Sequence, residues 1–143
     1  MEEKALPFII DPYPQETPEW NQLHKFFEYL RAGRITSTRC KDCGCLPWPP
    51  KLICPECKSS NLEWVDLPEP RTVFAFSVGV YATPPGFPPP LIIAVIKCGE
   101  NGVRLMSRIE DANPEDIRVG MEVELKVVNI PGDRVMFAFK PKS

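Results

Sequence analysis

Two cysteine pairs, Cys40-Lys41-Asp42-Cys43 and Cys54-Pro55-Glu56-Cys57, stand ten residues apart and constrain this chain more than any other feature. A Cys-x2-Cys turn sets two sulfurs on one side of a tight loop, and two such turns facing each other supply the four corners of a tetrahedral zinc site. The spacing therefore predicts one structural zinc ion held by Cys40, Cys43, Cys54 and Cys57. Gly44 follows the first pair. A left-handed backbone there turns amides toward the thiolates, and a residue without a Cβ adopts it freely. Lys58 holds the equivalent place after the second pair.

Six cysteines would also suit a disulfide framework. The start Met-Glu-Glu-Lys and the short apolar patch from Ala5 to Ile10 lack the basic beginning and long apolar run of a secretory signal, which places the chain in the cytoplasm with its thiols reduced. Redox Cys-x2-Cys pairs come singly on a strand-to-helix turn, whereas these are doubled and flanked by proline. Cys45 reads as a bystander beside the first pair, and Cys98, ending the apolar run Leu91 to Ile96, reads as a small buried hydrophobe.

With 143 residues, 43% hydrophobic and 25% charged, the chain is a soluble globular protein of one ordinary or two small domains, without a run of membrane-spanning length. Its formal charge is −2. Zinc on four thiolates takes that to about −4. Nucleic acid does not suit such a balance, since phosphate binding depends on clustered Lys and Arg. Residues 1–33 are acidic, whereas 34–60 carry Arg34, Arg39, Lys41, Lys51 and Lys58 against Asp42 and Glu56. A local basic patch on an acidic protein suits one compact anion, such as a nucleotide-bearing cofactor; simple solvation of a small domain is the other reading.

The chain divides into an N-terminal extension (1–33), a zinc ribbon (34–66) and a β-rich segment (67–143). A helix is predicted over about 17–32, with Thr17 as N-cap, Pro18 at the first helical position and Gly33 closing it. Trp20, Leu23, Phe27 and Leu30, with Phe26 beside them, form an apolar stripe that serves either the chain's own core or a docked partner. The sole histidine, His24, has no acid or nucleophile adjacent in sequence and reads as a surface or boundary residue. The ribbon is too short to fold on apolar burial alone, so metal binding, worth roughly 10 kcal/mol or more in comparable peptides, should stabilise it. Trp48 and Trp64 are expected to pack around the metal.

Strands are predicted at 72–81, 91–98, 102–109, 122–130 and 135–139, with a short helical turn at Asn113 to Ile117. Five short strands with a small helix after the third is the order of an OB-fold barrel, so the expected fold is mainly β: an N-terminal helix, a four-cysteine zinc ribbon and a five-stranded OB-fold barrel. The proline-rich segment Thr83 to Pro90 joins the first two strands, where OB-folds commonly carry a binding loop.

An aromatic-rich helix, Arg39-Cys40-x2-Cys43-Gly44, Pro49-Pro50, Cys54-Pro55-x-Cys57, a proline-rich loop, Gly102 through Ile109, and Pro114 through Gly120-Met121-x-Val123 follow one another in an order that resembles a known family. That family fuses a rubredoxin-like zinc ribbon to an OB-fold and is associated with acyl-CoA metabolism. The resemblance covers about residues 20–140. Lys58 in place of a second-knuckle glycine and a longer proline loop depart from the pattern. The resemblance implies a non-catalytic subunit that joins thiolases, hydroxymethylglutaryl-CoA synthases or acyl-CoA hydratases and helps hold or pass a CoA thioester. It carries over the zinc ligands and no catalytic residue.

On this reading the CoA phosphates meet some of Arg34, Arg39, Lys51, Arg71 and Arg104 in a crevice between ribbon and barrel, and the helical stripe docks on the enzyme. No nucleophile with a local base, acid pair in a recognisable frame or Gly-rich phosphate loop is found in the sequence. A four-thiolate zinc is also coordinatively closed and does not activate water. The competing function is single-stranded nucleic-acid binding, which would need basic residues interleaved with exposed aromatics along the barrel.

Overall fold

The computed structural model describes residues 11–84 and 86–143; the apolar patch Ala5 to Ile10 lies outside them. Helix α1 (His24–Arg31) is followed by β1 (Thr36–Cys40), β2 (Leu62–Asp66), β3 (Arg71–Gly79), β4 (Leu91–Cys98), β5 (Arg104–Ile109), a single 3-10 turn (Pro114–Asp116), β6 (Val123–Ile130) and β7 (Arg134–Pro141).

The helix is shorter than the predicted 17–32. Thr17 does begin a turn, its carbonyl accepting from the Trp20 and Asn21 N–H groups. Asn21 then interrupts it: its amide donates to the Gln15 carbonyl and its side-chain oxygen accepts from the Leu23 N–H. A side chain that competes for backbone partners in this way favours a turn over helix continuation. Gly33 closes the C-terminal end at φ +84°.

Strands β1 and β2 form an antiparallel ribbon ladder, while the other five give one sheet in the order β3-β4-β5-β7-β6. This is the expected mainly-β OB-fold arrangement, with one correction: the barrel is not closed. Strands β3 and β6 meet through the isolated Thr72–Glu122 bridge, supported by the Val73 N–H to the Met121 carbonyl and the Gly120 N–H to the Val73 carbonyl. A bulge between Val73 and Ala75 bends β3 toward that contact.

Alternation in β4 turns Ile92, Ala94, Ile96 and Cys98 inward. They join Ile35, Leu67, Val73, Leu105 and Phe139 in one core, to which α1 contributes Phe26, Phe27 and Leu30. These three residues of the predicted docking stripe are therefore spent inside the molecule: burying two aromatics and a leucine against the sheet stabilises the chain more than leaving them to water. Trp20 remains 78% exposed. Trp48 and Trp64, expected to pack around the metal, both have aromatic partners on α1. Trp48 packs between Phe26 and Phe137, each ring centroid 5.8 Å away, and Trp64 packs on Tyr29 at 5.9 Å. Aromatic faces and edges at these separations attract one another, so both indoles serve the junction of ribbon and helix.

Candidate metal centre

The two knuckles are built alike. Cys40 donates its N–H to the Cys45 carbonyl and Gly44 donates to the Cys40 carbonyl; Cys54 likewise donates to Ser59 and receives from Lys58. Both residues that close these turns are left-handed, Gly44 at φ +80° and Lys58 at φ +64°. Lysine thus accepts the conformation that glycine takes freely, at a cost of about 1–2 kcal/mol.

The sulfurs of Cys40, Cys43, Cys54 and Cys57 all lie within 4.8 Å of one another. Cys40 Sγ is 3.5 Å from Cys57 Sγ, and Cys43 Sγ is 3.5 Å from Cys54 Sγ. Zinc–sulfur bonds of about 2.3 Å imply tetrahedron edges of about 3.8 Å, so this set fits one zinc ion. The Cys57 backbone N–H, opposed by burial and aided by the Glu56 N–H, brings the Cys54 thiol down to about 6. Burial pushes Cys40 upward, but the Cys43 and Asp42 backbone N–H groups and neighbouring thiols outweigh it and lower its pKa. Amides aimed at thiolates stabilise the metal-binding form of the ligand. Cys40 and Cys54 are buried and Cys43 and Cys57 exposed.

A polar brace between the knuckles has no simple sequence signature. The Asp42 carboxylate accepts from Ser59 Oγ at 2.5 Å and from Asn61 Nδ2 at 3.1 Å. These two bonds hold Asp42 below the usual carboxylate range. Thr38 of β1 ties down the connecting loop, its hydroxyl donating to the Lys51 carbonyl at 2.7 Å and accepting the Lys51 N–H at 2.9 Å. Side-chain bonds to loop backbone of this kind are common for Thr, but their partner depends on the fold.

A cleft of about 560 Å³ lies between ribbon and sheet, lined by Arg39, Gly44, Leu46 and Pro68 with the Gly99–Val103 connection. Of the five predicted CoA-binding cations it contains Arg39; Glu69 and Glu100 are also among its lining residues. The others are dispersed. Arg34 pairs with Asp66 at 2.8 Å and lies over Tyr29. Arg71 donates to the Leu67 carbonyl and reaches Glu69. Arg104 sits over Phe74 on the outer face of the sheet, 3.8 Å from the ring centroid, and Lys51 is exposed on the ribbon. His24 lies 3.5 Å from Glu28, one helical turn on. Among the described residues no helix is long and apolar enough to cross a membrane.

Residues 27–63 match the family described as the ChsH2 rubredoxin-like zinc ribbon domain, and residues 64–128 match the ChsH2 C-terminal OB-fold domain. A DUF35 domain-containing scaffold protein from Methanocaldococcus jannaschii is 37% identical over 93 residues, which make up 63% of this chain and 64% of that protein. The chain thus spans less than two thirds of that relative. The benzoylsuccinyl-CoA thiolase subunit BbsA of Thauera aromatica is 32% identical over 104 residues, 73% of this chain and 70% of the subunit. Among solved structures, a chain of the Ltp2-ChsH2(DUF35) aldolase superposes with a TM-score of 0.73 at 27% identity, covering 87% of this chain and 98% of its own.

Proposed function

Since the chain belongs to the ChsH2-type family of rubredoxin-like zinc-ribbon and OB-fold proteins, we propose that it is a cytoplasmic, non-catalytic accessory subunit that binds an acyl-CoA thioester and docks on a thiolase-type or related acyl-CoA enzyme. The observation that carries this reading is the structural overlap, across 98% of its length, with a chain of the Ltp2-ChsH2(DUF35) aldolase, together with the thiolase-subunit relative. Its local chemistry supports the same reading. Four thiolates close the coordination sphere of the zinc, which Cys40, Cys43, Cys54 and Cys57 hold as a fold-stabilising ion. The ion supplies rigidity to the ribbon, and with it a fixed wall for the ribbon–sheet cleft.

Of the cations assigned to CoA, Arg39 lines the cleft and has no ion-pair partner among the described residues, whereas Lys51 and Arg104 lie away from it and Arg34 and Arg71 already face carboxylates. Trp20, in the turn before α1, is the exposed member of the predicted stripe and the anchor left for docking. Isothermal titration of the zinc-loaded chain with acetyl-CoA, paired with identification of proteins that co-purify from the native lysate, tests the proposal. Saturable binding weakened by Arg39→Ala, and an acyl-CoA enzyme among the co-purifying proteins, are expected. Neither CoA binding nor such an enzyme appearing would overturn it.

A further inference from the structure

The five-stranded sheet ends at β3, which has β4 on one side and no strand ladder on the other. The first part of that outer edge is covered: the Val73 N–H donates to the Met121 carbonyl and the Gly120 N–H to the Val73 carbonyl. Beyond the bulge the register with β4 runs unbroken, from Ala75 opposite Val95 to Gly79 opposite Leu91. The ladders say which backbone groups face outward along this stretch. Cys98 donates to the Val103 carbonyl, so even-numbered residues of β4 bond to β5 and odd-numbered ones to β3. Val95, Ile93 and Leu91 therefore engage Ala75, Ser77 and Gly79, while Phe76 and Val78 turn their N–H and C=O groups to the outer edge. No other backbone group among the described residues bonds to Phe76 or Val78.

An open strand edge is a template for further pairing, and proteins guard such edges with charged side chains or proline. Residues 72–82 contain neither. The bulge bends β3 ahead of the open stretch and leaves Ala75 to Gly79 regular. Phe74 through Ser77 are exposed, and Val80 and Tyr81 continue the apolar surface past the strand.

We propose that this edge pairs with the same edge of a second copy of the chain, antiparallel about a two-fold axis at Ser77, joining two five-stranded sheets into one. The register follows from the outward-facing groups. Phe76 meets the second copy's Val78 and Val78 its Phe76, each pair exchanging two backbone hydrogen bonds, as an isologous interface requires. Ser77 then faces itself in the close, non-hydrogen-bonded position, where Cα atoms stand about 4.5 Å apart and a small side chain fits. On the other face each Phe76 ring lies beside a valine. Charge favours a second copy as well. The cation over this strand, Arg104 on Phe74, is three residues from the axis, so the two copies of it stand about 20 Å apart, beyond the screening length of about 8 Å. A partner strand bearing charges would find no counter-charge on this edge. The pairing is independent of CoA binding: the cleft gathers at Gly99–Val103, past one end of β4, whereas Phe76–Val78 lie beside Ile92–Ala94 toward the other.

Sedimentation velocity on the full zinc-loaded chain tests it, over roughly 1 µM to 0.5 mM, and the mass should rise from one chain toward two. Ser77→Lys and Ser77→Glu each set like charges face to face on the axis and should weaken self-association at least tenfold. An equimolar mixture of the two variants should restore it, because unlike charges then meet; misfolding of either variant could not produce that recovery. At one concentration by NMR, the Phe76 and Val78 amides should exchange about tenfold faster in Ser77→Lys than in the wild type, with the β4-bonded Ala75 and Gly79 amides little changed. A wild-type monomer at about 0.5 mM would overturn the proposal. So would a dimer that both variants leave intact, or a mixture no more associated than its parts. Slow exchange of Phe76 and Val78 in monomeric Ser77→Lys would mean that the chain's own residues cover the edge, and would overturn it too.

Discussion

Replacing Phe26 by Ala tests whether helix, ribbon and sheet form one cooperative unit. The ring is 6% exposed and packs at 5.1 Å on Phe27, 5.8 Å on Trp48 of the ribbon and 6.2 Å on Phe137 of β7. Truncating a buried phenylalanine costs about 3–5 kcal/mol, a figure that already contains the loss of its aromatic pairs at about 0.5–1.5 kcal/mol each. With a urea slope of about 2 kcal/mol/M, a loss of about 4 kcal/mol lowers the unfolding midpoint by about 2 M. The assay is a urea titration of zinc-loaded wild type and Phe26→Ala, followed in parallel by tryptophan fluorescence and by zinc release to a colorimetric chelator. Both transitions should move together, since the ring touches ribbon and sheet at once. A shift below about 0.5 M, or a fluorescence transition that moves while metal release stays, would refute the reasoning.

Lys58→Gly relieves the left-handed backbone at φ +64° and should raise the melting temperature of the zinc-loaded protein by an amount equivalent to about 1 kcal/mol, whereas Gly44→Ala at φ +80° should lower it by about 1–2 kcal/mol. Stripping zinc with a chelator should abolish amide protection in 36–40 and 62–66 before the five-stranded sheet loses its own, as followed by hydrogen exchange. Burial raises the pKa of Glu16 above 4.5, against the opposing Val135 N–H and the nearby Arg31 and Arg134. A carboxyl raised in the folded state contributes stability that is fully present below the unfolded value and lost as pH rises through the folded one. Glu16→Gln should therefore remove that decline, seen as a flatter dependence of the urea midpoint on pH above 4.5; an unchanged slope would contradict this.

The metal centre was legible because coordination chemistry is local: two Cys-x2-Cys turns and their spacing fix four ligands without reference to the rest of the chain. The sheet was legible from runs such as Leu91–Cys98, where apolar density and turn-forming flanks coincide. Open closure was not, since whether β3 reaches β6 depends on the bend at Val73 and Ala75 rather than on either strand's own pattern. The helix misled in two ways. Thr17-Pro18-Glu19 is a sound start signal, but Asn21 diverts the backbone through bonds to Gln15 and Leu23 that no periodicity reveals. The stripe of Phe26, Phe27 and Leu30 gave its amphipathic face correctly and its destination ambiguously, because periodicity says that a face must be covered and not by what. Basic residues clustered in sequence, such as Arg34 and Arg39, alternate around a strand start and part company in space.

The burial of the cysteines alternates through the two knuckles: the leading residue of each is buried and the trailing one exposed. The ion consequently has an anchored side and an open side. A zinc ion held there would meet competing thiols and chelators first at Cys43 and Cys57, the two exposed ligands.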